Sequence, residues 1–422
     1  MKQGMPPLPH SNQSYSPAFN QQSAGLWNRR LILNLLNCSG PLSRRQIAQR
    51  TGILGSTVAY IVRDLLETGL LTVEGKGPAS GVGRRNILLG VNRKYGWAMG
   101  VSLLHNNTAR VELLNSGLER LESTTFPVDP DPENLPEQLA DRLHGWLDLC
   151  GRPEGKFLGV GVGLPGIVDV KENKVLRSIH FGYRDFALGE RLEALFRAPV
   201  GIEHNAHLGA HAERRYGRAA SLKDFVYLLM NRSEYEAGRP FYSYGASLYL
   251  GGEVYRGAHC AAGELERRNI PKLDLKREEA EALGENLADK DAPLTPLMSE
   301  LAKALGHYLA PVVDLLDPEA IVLGGDCPLV NRPFLALVEG WINRLTLSLQ
   351  GRRIGILPSH LGDSGVACGA ALRMVETGLY ERELAELGKT GVRNGNGHGN
   401  GETRKRPETE AQAEPAGSAV QD

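Results

Sequence analysis

The sequence predicts an α/β protein in two parts: a small basic helical unit ending in a hairpin, and a larger domain that uses one strand-and-helix pattern twice. Three observations carry this. Charge is uneven along the 422 residues: positions 1–92 hold ten Lys/Arg against three Asp/Glu, a balance of +7 that leaves −8 for the rest of a chain whose total is −1. Apolar residues recur at helical spacing from position 26 to 68, and a strand, loop and strand follow. From about 95 to 385 the same order of strands and helices occurs twice, which implies two α/β lobes with a cleft between them, the usual place for a ligand.

In residues 25–92, LWNRRLILNLLN sets Leu31, Ile32, Leu35 and Leu36 on one stripe of a helix. Ser43 and Gln46 in LSRRQIAQR make a capping-box pattern that opens a second helix, and Gly52 lets the chain turn. GSTVAYIVRDLLET, Gly55 to Thr68, reads as a third helix. Val58, Ile61, Val62, Leu65 and Leu66 face its core side, and Ser56, Thr57, Tyr60 and Arg63 face away. LLTVEGKGPASGVGRRNILLGV then reads as strand, basic loop, strand.

In residues 95–385 the first copy opens with three candidate strands, WAMGVSLL, TARVELL and LERLESTTF. A helix from Glu133 to Leu149 and the strand FLGVGVGLPGIVD follow, and PVGIEHN leads into the helix AHLGAHAERRYG. The second copy opens with DFVYLLMN, YGASLYL and GEVYRG. It has its own helix from Leu294 to Leu316 and the strand EAIVLGG, and RIGILPSH leads into SGVACGAALRMVETG.

Residues 1–24 and 388–422 lack apolar periodicity and are expected to be disordered tails, with Arg404, Lys405 and Arg406 in the second a solvated charge run. No apolar run approaches the roughly 18 residues of a membrane span, and MKQGMPPLPHSNQSYS contains no export segment, so a cytoplasmic protein is expected. Cys38, Cys150, Cys260, Cys327 and Cys368 are scattered, odd in number and without C-x-x-C. That spacing argues against a disulfide framework or zinc ribbon and for buried small apolar residues.

Two short helices joined by a turn containing Gly, the second with a small polar outer face, form a helix-turn-helix pattern, and the basic hairpin makes it winged. Laid in the major groove of double-stranded DNA, the second helix would offer Ser56, Thr57, Tyr60 and Arg63 to base edges and phosphates. Arg44 and Arg45, near the start of the preceding helix, can neutralise phosphate; Arg84 and Arg85 in the hairpin loop suit an adjacent groove or the backbone. A three-helix packing or dimerisation unit is the alternative. The +7 balance and the basic hairpin favour operator DNA.

Five segments, in order behind that unit, resemble the ROK family (repressors, open reading frames and sugar kinases) in its winged-helix regulator branch. They are GVGVGLPGIVD (159–169), IEHNAHLGAHAERRYG (202–217), GGEVYRGAHCAAGELE (251–266), DPEAIVLGGD (317–326) and LGDSGVACGAAL (361–372). The resemblance covers about residues 26–385. It implies an actin-like, ribonuclease-H-like two-lobed fold, a repressor of transcription, and a homodimer or dimer of dimers.

The family's sugar kinases depend on four devices. A phosphate loop of the form Asp-x-Gly-x-Thr cradles ATP with backbone N–H groups and a metal-binding carboxylate; here GVSLLHNNT (100–108) has Ser102 where the Asp is expected. The matching turn of the other lobe is replaced by MNRSEYEAGRPFYSYGAS (230–247), which is longer and lacks the glycine cluster. The catalytic base is the Asp of Glu-Asn-Asp-Ala-Asn; here Glu203, His204, Asn205, Ala206 and His207 align, and an amide accepts no proton. The structural zinc site needs one His and three Cys; Arg267 stands at the His position and no Cys lies between Cys260 and Cys327. His259 and Cys260 are two adjacent ligands without two more, and are expected to pack. No catalytic residue, metal or cofactor is therefore expected.

What the resemblance retains is binding. Glu264 matches the glutamate that accepts hydrogen bonds from sugar hydroxyls, and Gly263 supports its turn. Pro165 and Gly166 match the turn lining the sugar pocket, and His204 and Asn205 keep polar groups against the ring. Such a set suits a sugar or sugar derivative as effector. A vestigial pocket, with Glu264 paired to Arg267 or Arg268, is the other reading, and a sugar kinase with an appended DNA-binding domain is the rival enzyme.

Overall fold

The computed structural model describes residues 21–77, 86–104, 106–233, 241–264, 275–325, 330–347 and 353–379. Helix α1 (Gln21–Ser39) starts inside the stretch expected to be a tail. Leu26, Ile32, Leu33 and Leu36 give it an apolar face that is covered. Next come α2 (Arg44–Thr51) and α3 (Gly55–Glu67). Ser43 caps α2 reciprocally: its side chain accepts from the Gln46 backbone N–H, and its own N–H donates to Gln46 Oε1 at 2.9 Å. Arg29 Nη2 meets Asp64 Oδ2 at 2.7 Å and ties α1 to α3. Strands β1 (Leu71–Lys76) and β2 (Ile87–Val91) form the antiparallel wing, and Leu42 bridges to Leu89 beside it.

The first lobe contains β3 (Gly96–Leu103), β4 (Thr108–Asn115), β5 (Arg120–Pro127), α4 (Leu135–Cys150) and β6 (Lys156–Leu164). A small three-stranded sheet follows, β7 (Ile167–Asp169), β8 (Lys174–Ser178) and β9 (Tyr183–Phe186). Then come α5 (Leu188–Phe196), β10 (Val200–His204) and α6 (Asn205–Tyr216). The second lobe contains β11 (Phe225–Ser233), β12 (Phe241–Leu250), β13 (Glu253–Tyr255), α7 (Arg277–Ala288), α8 (Pro296–Leu316) and β14 (Ala320–Gly324). It closes with α9 (Arg332–Leu345), β15 (Gly355–Pro358) and α10 (Ser364–Glu376). The main sheets run β10-β6-β3-β4-β5 and β13-β12-β11-β14-β15, so both place their strands in the order third, second, first, fourth and fifth, reversed in the first. The duplication is one of topology.

The lobes exchange their last helices. Helix α10, at the end of the second copy, lies on the first lobe's sheet, and α6, at the end of the first, packs against β11 and β12. Only glycine permits the approach: a Cβ at Gly100 of β3 would stand 1.9 Å from the Ala367 carbonyl oxygen of α10. One at Gly369 would stand 2.0 Å from the Leu208 carbonyl of α6. The N-terminal unit is docked on this assembly. Ile32, Leu33, Leu36 and Leu65 share one buried cluster with Leu114, Leu118, Leu372, Val375 and Leu379.

Two expectations are corrected. Of the described cysteines only Cys368 is buried, its thiol pushed up to about 12 by burial and by Glu112; Cys38 and Cys150 are exposed and Cys260 is half-buried. Cys260 takes φ 56° in a surface turn and His259 is exposed, so this pair does not pack in a core. No described helix is long and apolar enough to cross a membrane, and the described residues hold no His/Cys/Asp/Glu group able to bind a metal. The second expected tail, Cys327, and Arg267 with Arg268 lie outside the described residues.

Candidate functional site

Helix α3 buries Val58, Ile61, Val62 and Leu65, which turns Ser56, Tyr60 and Arg63 outward, with Thr57 half-buried at the edge. Tyr60 is exposed despite its ring, and the Arg63 guanidinium lies 5.4 Å from the ring centroid, within cation–π range. Arg45 is exposed and Arg44 half-buried in the first turn of α2. Arg84 and Arg85 lie outside the described residues. Arginines at the start of α2 suit phosphate neutralisation, and the open outer side of α3 suits entry into a groove.

The cleft site is built at the carboxyl ends of parallel strands. The register sets His204 of β10 beside Leu164 of β6, so Pro165 and Gly166 leave β6 next to the start of α6. Gly166 has φ 136°, and a Cβ there would stand 2.4 Å from the Arg177 carbonyl oxygen. The Ser178 hydroxyl donates to the Pro165 carbonyl at 2.6 Å and pins the turn. Across the cleft, Gly263 at φ 90° presses its backbone on β12, where a Cβ would stand 2.1 Å from the Ala246 carbonyl. This presents Glu264, whose Oε1 lies 3.3 Å from His204 Nε2. His204 is buried and Glu264 is 40% exposed, so the pair faces solvent from one side only. Burial against the cleft wall pushes the Glu264 carboxyl above the ordinary carboxylate range, an effect the His207 ring partly opposes. Asn205 is buried, and its Oδ1 accepts from the Ala206 backbone N–H at 2.8 Å at the start of α6.

Behind His204 the strand carries Glu203, facing the other way as successive residues of a strand do. Its carboxylate is the most heavily paired group of the region. Arg256 donates to Glu203 Oε2 through Nε at 2.9 Å and Nη2 at 2.6 Å, Arg373 through Nη1 at 2.8 Å, and His207 Nδ1 stands 3.2 Å from Oε1. Burial alone would raise the Glu203 carboxyl, but the His207 hydrogen bond and the guanidinium groups of Arg373 and Arg256 outweigh it and hold it far below the ordinary range. Its folded value being depressed, the stability it contributes is present above the ordinary carboxylate value and is lost only as pH falls through the acidic folded value.

Comparison with known proteins places these observations. The ROK family model matches residues 107–267 and 265–376, and a winged helix-turn-helix DNA-binding model matches residues 28–72. The chain belongs to the ROK family. It is similar to the xylose repressor of Bacillus subtilis (strain 168), 23% identical over 383 residues and covering 83% of this chain and 95% of that one. It is also similar to the DNA-binding transcriptional dual regulator NagC of Escherichia coli (strain K12), 23% identical over 381 residues and covering 81% and 91%. Among solved structures, a ROK family transcriptional regulator homologous to E. coli MLC covers 86% of this chain and 99% of its own at a TM-score of 0.68 and 19% identity. A ROK family glucokinase from Streptomyces griseus, in complex with glucose and AMPPNP, covers 66% and 99% at a TM-score of 0.51 and 19% identity. The glucokinase matches only the fold, over a share of the chain close in size to the two lobes.

With both models matched, this ROK protein is a DNA-binding transcriptional regulator. Its Ser102 is fully buried near the end of β3, with a hydroxyl that has no hydrogen-bond partner among the described residues. Four residues of the region, Glu203, His207, Arg256 and Arg373, carry no role in the sequence reading, although Glu203 and His207 stand in the aligned base segment. Glu203 and His207 form an i,i+4 pair across a strand–helix junction, a spacing that could have been noticed. Arg373 is separated from Glu203 by 170 positions and carries no local signal.

Proposed function

We propose that this protein is a transcriptional repressor whose residues 25–92 hold operator DNA and whose residues 95–385 sense a sugar or sugar derivative. The observation that carries the sensor is the Glu264–His204 pair, brought from two lobes to one cleft at the strand ends, where a carboxylate and an imidazole can take directional bonds from a polyhydroxylated ring. The xylose and N-acetylglucosamine repressors among the relatives support a carbohydrate. Pro165, Gly166, His204, Asn205 and Glu264 form the binding set. Arg44, Arg45, Ser56, Thr57, Tyr60, Arg63, Arg84 and Arg85 form the DNA set. Phosphoryl transfer is not part of the function: Ser102 offers no metal-binding carboxylate and Asn205 no base. The active form is a homodimer or dimer of dimers. Closing the cleft shifts two winged helices so that half-sites about 34–36 Å apart are no longer met together.

The test selects bound sequences from random DNA with purified protein and screens a sugar panel by thermal shift, because a specific ligand raises the melting temperature by mass action. One sugar is expected to stabilise the protein and weaken its hold on the selected DNA. ATP-dependent phosphorylation of any hexose or amino sugar would overturn the regulator-only reading.

A further inference from the structure

The Glu203 cluster lies between the cleft and the N-terminal unit, and its parts belong to different bodies. Glu203 sits on the strand whose next residue, His204, faces the cleft. Arg256 follows β13 of the second lobe, His207 is in the first turn of α6, and Arg373 belongs to α10. Helix α10 continues from Arg373 to Glu376, which meets His211 Nε2 at 2.9 Å, and the chain beyond places Leu379 in the cluster that holds Ile32, Leu33 and Leu36 of α1. At its other end α10 is fastened to the first lobe, where Arg110 Nη1 donates to Asp363 Oδ2 at 2.9 Å. Close backbone approach at Gly100 and Gly369 packs α10 tightly on β3 and α6. Arg373 and the α1 contact at Leu379 thus lie on one continuous segment.

A cavity of about 330 Å³ opens beside the cluster, and its walls include Arg30, Glu203, His207, His211, Arg373 and Glu376. Arg30 comes from α1 itself, so the cavity spans the junction between the DNA-binding unit and the lobes. It also gives Arg373 somewhere to go. Glu376, three residues on along the same helix face, is a second carboxylate on the same wall.

We propose that Arg373 is the positioning residue that couples the cleft to the winged helix, holding α10 and α1 in the DNA-binding arrangement while it bonds Glu203 and releasing them when it turns toward Glu376. The coupling takes from the sensor reading only that the wall at His204 is the responsive one, and it operates in both directions. Operator bound at the winged helix must stabilise the β10–α6 wall by the same factor with which changes at that wall alter operator affinity.

Reciprocity allows a test without any sugar, using the full chain and DNA selected as above. Hydrogen–deuterium exchange is followed in residues 200–210 with and without DNA for the wild type, Arg373→Met, Arg373→Lys and Arg256→Met. DNA is expected to slow exchange there on the order of fivefold or more in the wild type, the low end of ordinary allosteric coupling. With DNA at concentrations that saturate each variant, Arg373→Met should abolish that difference and weaken DNA binding, Arg373→Lys should retain part of both, and Arg256→Met, which removes a guanidinium from the same carboxylate without touching α10, should keep both. Equal behaviour of the two Met variants would reduce the cluster to a structural support and overturn the proposal, as would DNA-bound wild type with unchanged exchange at 200–210. A sugar panel that shifts no melting temperature would count against the sensor reading and leave this comparison intact.

Discussion

Two glutamates show how one residue type is set to different tasks by its neighbours. Glu203 is wholly enclosed and doubly paired with guanidinium groups, so it is a fixed charge; Glu264 keeps a solvent side and one imidazole neighbour, so it can exchange partners with a ligand. Glu264→Gln should weaken binding of the effector sugar about tenfold, as loss of a charged hydrogen bond does, with little change in melting temperature. Because the Glu264 carboxyl is raised above 4.5, effector affinity should be constant near neutral pH and fall as pH drops through that raised value, and calorimetry of the Glu264→Gln variant should show the dependence gone. Glu203→Met leaves two half-buried arginines without their shared carboxylate and should cost about 1–3 kcal/mol in urea unfolding, less than the full penalty for an uncompensated buried charge because both guanidinium groups reach solvent.

The elements divide by what they must contribute. Helix α3 is held by its apolar face, so Tyr60→Ala and Arg63→Ala should leave the melting temperature nearly unchanged and weaken operator binding by about 1–3 kcal/mol each, measured by fluorescence anisotropy. Helix α10 is the opposite case: Gly100→Val would drive a side chain into the Ala367 backbone and should uncouple the N-terminal unit as well as destabilise the first lobe. Much of this was legible in the sequence. The capping box of α2, the stripe of α3 and the first four strands of each main sheet follow from local periodicity and turn chemistry, whereas β10 and β15 are legible only as segments leading into helices. Strands β8 and β9 and helices α5, α7 and α9 were not read, because short segments with few periodic positions look like connections. The crossing of α10 onto the first lobe has no local signature, since SGVACGAAL says only that a small-residue helix packs closely, and the partner surface on β3, β4 and β6 lies 200 or more residues earlier. For the same reason Pro165, His204 and Glu264 lie in legible motifs, while the Arg256–Glu203–Arg373 cluster comes together only in the folded chain.

At the scale of the molecule, the uneven charge matches the division of labour: +7 sits in positions 1–92, which include the DNA-binding unit, and −8 in the lobes and the tail that follows. Operator affinity should therefore fall steeply with salt, and Arg44→Ala or Arg45→Ala should each reduce the slope of log K against log salt by about one. The shared core of Ile32, Leu33, Leu372, Val375 and Leu379 makes the two parts one mechanical body, so events in the cleft need not cross a loose linker to reach DNA. The most direct measurement is the affinity of the full chain for its selected operator, followed by fluorescence anisotropy while a panel of sugars is titrated in. A regulator that senses sugar in a binding-only cleft loses operator affinity tenfold or more, a coupling of about 1.4 kcal/mol, with one sugar and without ATP. Operator affinity unchanged by every sugar that the protein binds would contradict it.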